Sequence, residues 1–323
     1  MKQQTFAVAA GFERFGRQTR RAEFLAQMEV VVPWAELAAL IEPHYPKAGN
    51  GRAPIGLERM LRIYFLQQWF NLSDPGLEDA LYDSLTMRSF VGIDLGLEPA
   101  PDETTVCKFR HLLERHGLGK QILAAVNGHL DRHGLKIGTG TIVDATLLGA
   151  PGSTKNKSGA RDPEMRSTRK NGQWHFGMKA HVGVDAATKL IHTAVATAAN
   201  VADNRVLGQL LHGKETEVWG DQAYQGQAAI LRQHAPQAVD RTNQRYRSKL
   251  RSLPEVREQN RLKSKTRSRI EHVFAILKLS FGFTKVRYRG LAKNAQRLLV
   301  ACALANLVMA KNHLLAVPAQ SRA

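Results

Sequence analysis

Cysteine is scarce in this chain of 323 residues, which contains only Cys107 and Cys302. Both lie in apolar patterns with helical spacing, so a disulfide framework and a thiolate zinc cage are excluded and a reducing cytoplasm is expected. Long apolar runs are also lacking, and residues 1–17 hold no stretch suited to a signal peptide. The longest apolar run, residues 298–310, includes Asn306 and is shorter than the roughly 20 residues of a membrane span. It therefore predicts a buried helix and no membrane partner.

Acidic residues are the second shortage, and they are unevenly spread. Lysine and arginine number 46 against 28 aspartate and glutamate residues, a formal net charge of +18. Glu271 is the last acidic residue, while basic residues crowd residues 241–270 and the small-residue loop 153–161. A positive field of this size attracts phosphate, so we expect a nucleic-acid partner. A solvated surface is the alternative for any single basic run.

The first third of the chain has the apolar spacing of helices. In residues 56–70 the large apolar side chains recur at helical intervals, and Asp102 is placed to cap a later helix. Lys108 and Arg110 lie outside the apolar stripe of that later helix. Short helices with basic outer faces predict a helix-turn-helix-like DNA reader with contacts from these two residues, although an ordinary helical bundle has the same pattern.

The sequence pattern changes from helical spacing to strand-like segments after Gly134. Short β-branched segments follow, and a turn at Asp185–Thr188 joins two of them into a hairpin. Later strands alternate with helices, so we predict an α/β fold with a mixed sheet flanked by helices. The predicted strands are 141–148, 175–185, 190–197, 217–221 and 238–241, and the predicted helices are about 203–213, about 226–235 and one long helix containing 266–280.

Three acidic residues occupy unusual places in this pattern. Asp144 lies within an otherwise apolar strand, Asp221 ends a strand, and Glu271 lies on a helix among positive charges. A buried carboxylate is costly unless it is paired or binds a metal, and three together would repel one another. Two divalent cations would relieve the repulsion, and all-oxygen ligands favour Mg²⁺ or Mn²⁺. The three acids therefore predict a two-metal site for phosphoryl transfer.

Basic and aromatic side chains adjoin these acids. On the last predicted helix, Arg267 and Lys278 lie four residues before and seven residues after Glu271, so all three share one face and can grip phosphates. A simple Arg267–Glu271 ion pair, worth only about 0.3 kcal/mol, is the alternative. Further phosphate contacts are expected from three lysines, and base stacking is weighed against core packing for two aromatic residues. These residues are Lys155, Lys157 and Lys179, and Trp174 and Tyr224.

Several collinear segments carry a recognisable pattern: 143–147 (ValAspAlaThrLeu), 153–165, 174–185, 220–224 (GlyAspGlnAlaTyr) and the helix with Arg267, Glu271 and Lys278. Together they resemble the DDE transposases of bacterial insertion sequences, in the insertion-sequence-five group. The last motif of that group is Tyr-x2-Arg-x3-Glu-x6-Lys, and this chain has Ser264 at the tyrosine position. The resemblance covers nearly the whole chain, because residues of about 40–115 also look like the group's helical domain.

The resemblance implies an RNase H-like catalytic fold in residues 135–315. The first aspartate would lie on the first strand, the second at the end of the fourth, and the glutamate on a following helix. An all-α DNA-binding domain, residues 1–134 with its core at about 40–115, would come first, and residues 316–323 would form a tail.

The resemblance also implies DNA transposition. Metal-dependent hydrolysis would occur at the ends of the element, and the freed 3′-hydroxyl would then attack target DNA. The expected partners are terminal inverted repeats, target DNA read mainly through its backbone and shape, and a second copy of the chain in a homodimer on DNA. The expected location is the bacterial cytoplasm, at the nucleoid.

Other patterns support rival hypotheses. The segment Gly208-x4-Gly213-Lys214 is similar to a phosphate-binding loop, but Glu215 stands where Ser or Thr should hold the metal, so no nucleotide cofactor is expected. Asp185 favours turn formation, and Asp240 is the most credible rival ligand. Three histidines lack the partners of a zinc site and favour packing or phosphate contact. They are His175, His181 and His192.

Two other functions stay open. One is a related metal nuclease or resolvase that cuts DNA without strand transfer. The other is a DNA-binding descendant that has lost activity. The intact acidic residues argue against the second, because a pure binder gains nothing from acids that face phosphates.

Overall fold

The computed structural model describes residues 17–49, 53–157, 159–245 and 254–316. Residues 1–16 and 50–52 of the predicted N-terminal domain lie outside these ranges, as do parts of three other predictions. Those three concern the tail beyond Ala316, residues 246–253 of the basic stretch, and Ser158 of the basic loop. The signal-peptide expectation for residues 1–17 likewise lies outside the described residues, except for residue 17.

Seven α-helices precede position 134 in the described part of the chain, as the apolar spacing predicts. Asp102 caps one of them, because its carboxylate accepts a hydrogen bond from the Thr105 backbone N–H at 2.7 Å. Ser84 ends one helix and caps the next through the Met87 N–H. The helices are α1 (Arg20–Val31), α2 (Trp34–Ile41), α3 (Leu57–Trp69), α4 (Asp74–Asp83), α5 (Leu85–Val91), α6 (Glu103–Arg115) and α7 (Leu118–Arg132), with a 3₁₀ turn at Glu42–His44.

A six-stranded mixed sheet follows these helices. Its strands are β1 (Gly140–Gly149), β2 (Arg166–Lys170), β3 (Gln173–Asp185), β4 (Ile191–Ala198), β5 (Glu217–Trp219) and β6 (Val239–Asp240). Strand β3 runs antiparallel to β1, β2 and β4, whereas β1, β5 and β6 run parallel. Without β2, the spatial order is β4-β3-β1-β5-β6, the RNase H-like arrangement that the resemblance implies. The predicted mixed α/β fold is confirmed.

Strand β2 is the one that the sequence pattern does not predict. Its residues are exposed or half-buried, so they lack the alternation of a strand with one buried face. It pairs with residues 173–177 of β3, while β4 pairs with the following residues, 178–184. Gly177 lies at this changeover, where a Cβ atom would come within 2.1 Å of the Leu148 carbonyl oxygen. Glycine therefore allows β1 and β3 to stay paired at this point.

Helices cover the sheet and complete the chain. The predicted helix at about 203–213 is shorter, a 3₁₀ turn (Asp203–Val206) followed by the single turn α8 (Leu207–Leu210). The predicted long helix around residue 271 is interrupted at Ser268 and ends in a π-helical turn, Ile276–Ser280. The remaining elements are a 3₁₀ turn (Gln222–Tyr224), α9 (Ala228–His234), α10 (Pro254–Arg267), α11 (Arg269–Ala275) and α12 (Leu291–Ala316).

Helix α12 is the central buried helix of the molecule. It packs against α7, β4 and α1. It is the only single helix among the described residues that is long and apolar enough to cross a membrane, but 61% of that stretch is buried inside the protein. Its polar residue Asn306 is fully buried, accepts a hydrogen bond from the Ile191 N–H and donates to the Ile191 carbonyl. The predicted buried helix over residues 298–310 is confirmed.

The N-terminal helices and the sheet share one hydrophobic core, which runs from α1 through α12 to β1, β3 and β4. Polar contacts join the two parts as well. The Arg287 guanidinium donates to the Leu72 carbonyl and to Asn71 Oδ1, and Arg297 donates to Asn71 Oδ1 at 2.9 Å. The predicted boundary at residue 134 thus falls between two regions that pack tightly together.

Candidate active site

Asp144 and Asp221 lie on neighbouring chain segments, just beyond the point where the parallel pairing of β1 with β5 ends. Ile142 of β1 is paired with Trp219 of β5, and each aspartate comes two residues later. Asp144 is held inside β1, where it stands opposite Val182 of β3. Asp221 follows β5 and its carboxylate accepts a hydrogen bond from the Ala223 N–H at 2.8 Å. The sheet therefore brings two of the three predicted acids together.

The carboxyl group of Asp144 is strongly perturbed by its surroundings. Burial raises its pKa to about 6, and the negative charges of Asp221 and Asp203 act in the same direction. The Ala145 N–H, which donates to Oδ1 at 2.7 Å, and the Arg267 guanidinium oppose this rise. Two neighbouring carboxylates, one within β1 and one just after β5, form an oxygen-rich site that attracts cations.

The positive charge next to Asp144 in this structure is the guanidinium group of Arg267. Arg267 is the last residue of α10, and its Nη1 donates to Asp144 Oδ2 at 3.1 Å. It therefore pairs with Asp144 and not with Glu271, so the alternative of a simple pair along one helix is wrong. The interruption at Ser268 lies between Arg267, the last residue of α10, and Glu271 in the first turn of α11.

Glu271 has a different position from the two aspartates. It lies in the first turn of α11, a helix that packs against β1, but its side chain is exposed. Within the described ranges, no group of three His, Cys, Asp or Glu side chains is close enough to hold a metal ion. The structure thus gathers Asp144 and Asp221 but does not bring Glu271 into one cluster with them. Its role as the third acid stays a prediction.

Asp203 is an acidic residue near the pair, at the first position of the helix predicted at about 203–213. It does begin the 3₁₀ turn after β4, and its negative charge raises the pKa of Asp144 and of Tyr224. Lys179 Nζ contacts Asp203 Oδ1 at 2.8 Å and also donates to the Val201 carbonyl. The phosphate contact predicted for Lys179 does not fit this structure, because its ammonium group already forms an ion pair with the Asp203 carboxylate.

Two of the three histidines have structural partners within the sheet. His181 Nε2 lies 2.8 Å from Thr197 Oγ1, and His192 Nε2 lies 3.2 Å from Thr141 Oγ1. Burial lowers the pKa of His181 to about 4 and that of His192 to about 3, so both rings are neutral at physiological pH. With His175 half-buried on β3, the three histidines form no zinc site in the part of the chain that is described.

The two aromatic residues of the predicted site differ sharply in exposure. The Trp174 side chain is 71% exposed and lies opposite Arg169 in the β2–β3 hairpin, so it is available for stacking. Tyr224 is only 1% exposed and packs in a core cluster with Val143 and Val218. Base stacking by Tyr224 is therefore wrong, because its ring is enclosed by the sheet. Its buried hydroxyl has no hydrogen-bond partner.

The remaining cations divide into exposed and buried ones. Lys108, Lys155 and Lys157 are exposed, and Lys278 is half-buried near Lys170, with a pKa lowered by burial and by that neighbour. Arg110, by contrast, is 5% exposed. It pairs with Asp74 at 2.6 Å and Glu114 at 3.5 Å, and it stacks on the Tyr288 ring. The DNA contact predicted for Arg110 is corrected to a structural role between α4, α6 and the segment before α12.

The rival sites do not form. The Asp185 carboxylate accepts hydrogen bonds from Ala187 and Thr188 within its turn, which confirms the prediction of turn formation. Asp240 is exposed on β6 and caps the Thr242 N–H. In the phosphate-loop-like segment, the buried Glu215 carboxylate accepts from the backbone N–H groups of His212 and Gly213. These N–H groups are not available to a phosphate.

Comparison with known proteins agrees with this architecture. A family model described as the transposase DDE domain matches residues 136–307, more than half of the chain. The chain belongs to this DDE transposase family. A second model, described as a transposase domain (DUF772), matches residues 13–112, where the N-terminal helices lie. The protein is therefore a DNA transposase of the DDE type, and its family implies dependence on divalent metal ions.

One solved structure shares a likeness with the chain, the cryo-EM structure of the piggyBac transposase synaptic complex with hairpin DNA. The sequence identity is 11%, the match covers 92% of this chain and 76% of that chain, and the TM-score is 0.46. The family assignment of the DDE transposase rests on the two sequence matches.

Proposed function

We propose that this DDE transposase binds the terminal inverted repeats of its element, hydrolyses the DNA at the element's ends, and joins the freed 3′-hydroxyl to target DNA. The observation that supports the chemistry is the juxtaposition of Asp144 and Asp221, with the pKa of Asp144 raised by burial and by the neighbouring charge. A scaffold that holds two acids together at a basic surface suits phosphoryl transfer better than simple DNA binding.

We propose Mg²⁺ or Mn²⁺ as the metal, with two ions, held by Asp144, Asp221 and Glu271. The donor set fits, because carboxylate oxygens are the ligands that these ions prefer and the unmet charge repulsion at Asp144 calls for a cation. The ions would supply charge stabilisation at the scissile phosphate and a more acidic attacking oxygen. Glu271 is included on its motif spacing relative to Arg267 and Lys278.

The chain's own cations would bind the DNA around this pair. Arg267 already contacts Asp144, so its guanidinium lies where the phosphate of a bound strand would meet the carboxylates. Lys155 and Lys157 extend from the loop after β1, Lys278 follows α11, and Lys108 lies on α6. The exposed Trp174 is suited to stacking on an unpaired base. These residues would contact backbone and bases along one strand.

Two further proposals follow from the same chemistry. Joining both ends of one element requires two active sites, so we propose a homodimer assembled on DNA. We also place the protein in the bacterial cytoplasm, where it would act on nucleoid DNA.

An assay of DNA cleavage and strand joining tests the proposal. The substrate is a fragment with the inverted repeats that bracket the reading frame, supplied with Mg²⁺. Asp144→Asn, Asp221→Asn and Glu271→Gln should each lower cleavage by more than about 100-fold, beyond the effect of losing an outer partner of a metal. Asp240→Asn is the matched control, because that exposed aspartate lies outside the pair. Cleavage by Asp144→Asn at the wild-type rate would remove Asp144 from the site.

The same assay separates the alternatives. Cleavage without joining would support the metal nuclease, and specific binding without cleavage would support the inactive descendant. Cleavage and joining together, both lost in the aspartate variants, are the results we expect.

A further inference from the structure

Each oxygen of the Asp144 carboxylate accepts a hydrogen bond in this structure. The Ala145 backbone N–H donates to Oδ1 at 2.7 Å, and the Arg267 guanidinium donates to Oδ2 at 3.1 Å. The first donor belongs to the backbone of β1 and is fixed there, whereas the second is the end of a long side chain that can rotate about its own bonds. Arg267 is therefore the group that decides whether Oδ2 can face another cation.

The pair is largely enclosed, so the charge of Arg267 acts strongly on Asp144. Only 23% of the Arg267 side chain and 19% of the Asp144 side chain are exposed. Opposite charges attract each other more strongly in such surroundings than in water, and a second cation at the same oxygen is repelled more strongly as well. The guanidinium thus competes directly with a divalent ion for Asp144 Oδ2.

Arg267 has a further donor that this contact does not use. Its Nε is buried and has no hydrogen-bond partner among the described residues. A phosphate group offers several acceptor oxygens and can take two parallel hydrogen bonds from one guanidinium. A phosphate beside Asp144 would satisfy Nε together with an Nη atom, so the guanidinium gains a hydrogen bond by moving from the carboxylate to the phosphate.

The helix that carries Arg267 is fixed to the segment after β6. The Asn260 side chain accepts a hydrogen bond from the Gln244 N–H and donates to the Gln244 carbonyl. One turn later, Lys263 Nζ donates to the Thr242 carbonyl at 3.0 Å. Arg267 can therefore change partners by rotating its side chain, while α10 stays in place.

We propose that Arg267 couples metal binding to DNA binding in this transposase. Without DNA, its guanidinium holds Asp144 Oδ2 and lowers the affinity of the site for Mg²⁺ or Mn²⁺. When a strand is bound, a DNA phosphate takes the guanidinium and Asp144 Oδ2 becomes available as a ligand. The inference rests on the proposed function, because it takes Asp144 as a metal ligand. Tight metal binding is then confined to the complex with DNA.

Mn²⁺ titration of the DNA-free protein by isothermal titration calorimetry tests the first step. Arg267→Gln removes the charge and should bind Mn²⁺ about 10-fold more tightly than the wild type, within the usual range of coupling between two sites. Loss of a merely structural residue would weaken binding. Arg267→Lys keeps a positive charge and should retain the weak binding. Arg261→Gln is the charge-matched control and should bind as the wild type does, because that exposed arginine of α10 pairs with Glu258.

A second titration uses the wild type alone, so it does not depend on how a variant folds. The inverted-repeat duplex carries a methylene group in place of the 3′-oxygen at the cleaved linkage, which keeps the phosphate charge and prevents hydrolysis. Saturation with this DNA should tighten wild-type Mn²⁺ binding by about 10-fold or more. The same DNA should give Arg267→Gln a smaller gain, because its Asp144 is available from the start.

Two results would overturn the inference. One is an Arg267→Gln variant that binds Mn²⁺ no more tightly than the wild type without DNA, and the other is DNA that leaves wild-type Mn²⁺ affinity unchanged. Cleavage and joining by the wild type would still support the proposed function in either case. Mn²⁺ binding that Asp144→Asn leaves unchanged would overturn both, because the metal would then lie elsewhere.

Discussion

At the scale of single residues, Asp144 carries the clearest signature of function. A carboxyl group that is four-fifths buried, beside a second carboxylate, is a poor choice for stability alone. Its retention in the middle of an apolar strand is understandable if the site works by attracting cations. The sequence shows this residue because an acid within a β-branched run is rare and costly.

The raised pKa of Asp144 leads to a stability prediction. The native state binds this proton more tightly than the unfolded state does. The protonated acid therefore adds to the free energy of unfolding in full below about pH 4, and this contribution disappears as the pH rises through about 6. At pH 7.5 the charged form costs up to about 3 kcal/mol. Asp144→Asn should therefore raise the melting temperature at pH 7.5 and leave it unchanged near pH 3.5. Thermal unfolding at both pH values measures this. An Asn variant that is less stable at pH 7.5 would contradict the account.

Divalent metal should relieve the same cost. Ions that bind only the native state stabilise it in proportion to their affinity. Mn²⁺ or Mg²⁺ should raise the melting temperature of the wild type and of Asp240→Asn, EDTA should reverse the rise, and Asp144→Asn should show little of it. An equal rise in the Asp144→Asn variant would place the bound metal elsewhere.

Single residues also show where sequence patterns mislead. Arg110 lies outside the apolar stripe of its helix, which is all that spacing reveals, but Asp74 and Tyr288 come from other elements and bury it. Tyr224 adjoins a catalytic motif in the sequence and yet packs under the sheet. Neighbours in space decide exposure, and the sequence pattern does not contain them.

At the scale of elements, strands and caps with strong patterns are predictable and interruptions are not. Strands β1, β3 and β4 and the Asp102 cap follow from alternation and capping chemistry. Strand β2 escapes prediction because its side chains face solvent. The break at Ser268 escapes because apolar spacing continues through it. Arg267 comes directly before that break and contacts Asp144, and Glu271 lies beyond it on the next helix.

Helix α12 offers a prediction at this scale. Asn306 satisfies both backbone groups of Ile191 at the start of β4. Asn306→Leu would make the helix more apolar but take away the hydrogen-bond partner of the Ile191 N–H and of Asn127 Oδ1, at a cost of about 1–3 kcal/mol for each. The Ile191 carbonyl would keep its hydrogen bond from Asn127 Nδ2. We expect urea unfolding to show a loss of about 2–4 kcal/mol. Asn312→Leu, at an exposed position of the same helix, should change stability by less than about 0.5 kcal/mol. Equal stability of the two variants would show that the buried hydrogen bonds of Asn306 do not stabilise the protein.

At the scale of the whole molecule, the helical region and the catalytic sheet depend on each other. They share one core, and Asn71 accepts hydrogen bonds from two arginines of the C-terminal part. The resemblance divides the chain at residue 134, and the sequence alone gives no sign of how closely the two parts pack. Arg297 shows this closeness, because burial lowers its pKa to about 10.

This shared core predicts how fragments behave. A fragment of residues 135–316 would expose the faces of α12 that α1 and α7 cover in the full chain. We expect it to show weak tertiary signals in near-ultraviolet circular dichroism and no cooperative melting, whereas the full chain melts in one transition. A fragment with sharp melting near that of the full chain would contradict this interdependence.

The central claim is that Asp144 and Asp221 form one cation-binding unit that Glu271 completes. Anomalous diffraction from crystals soaked in Mn²⁺ tests it most directly. The account predicts anomalous peaks bound by both aspartates, with metal–oxygen distances of about 2.0–2.2 Å and with Glu271 as a further ligand. Ions bound at other acids, with no peak shared by Asp144 and Asp221, would contradict it.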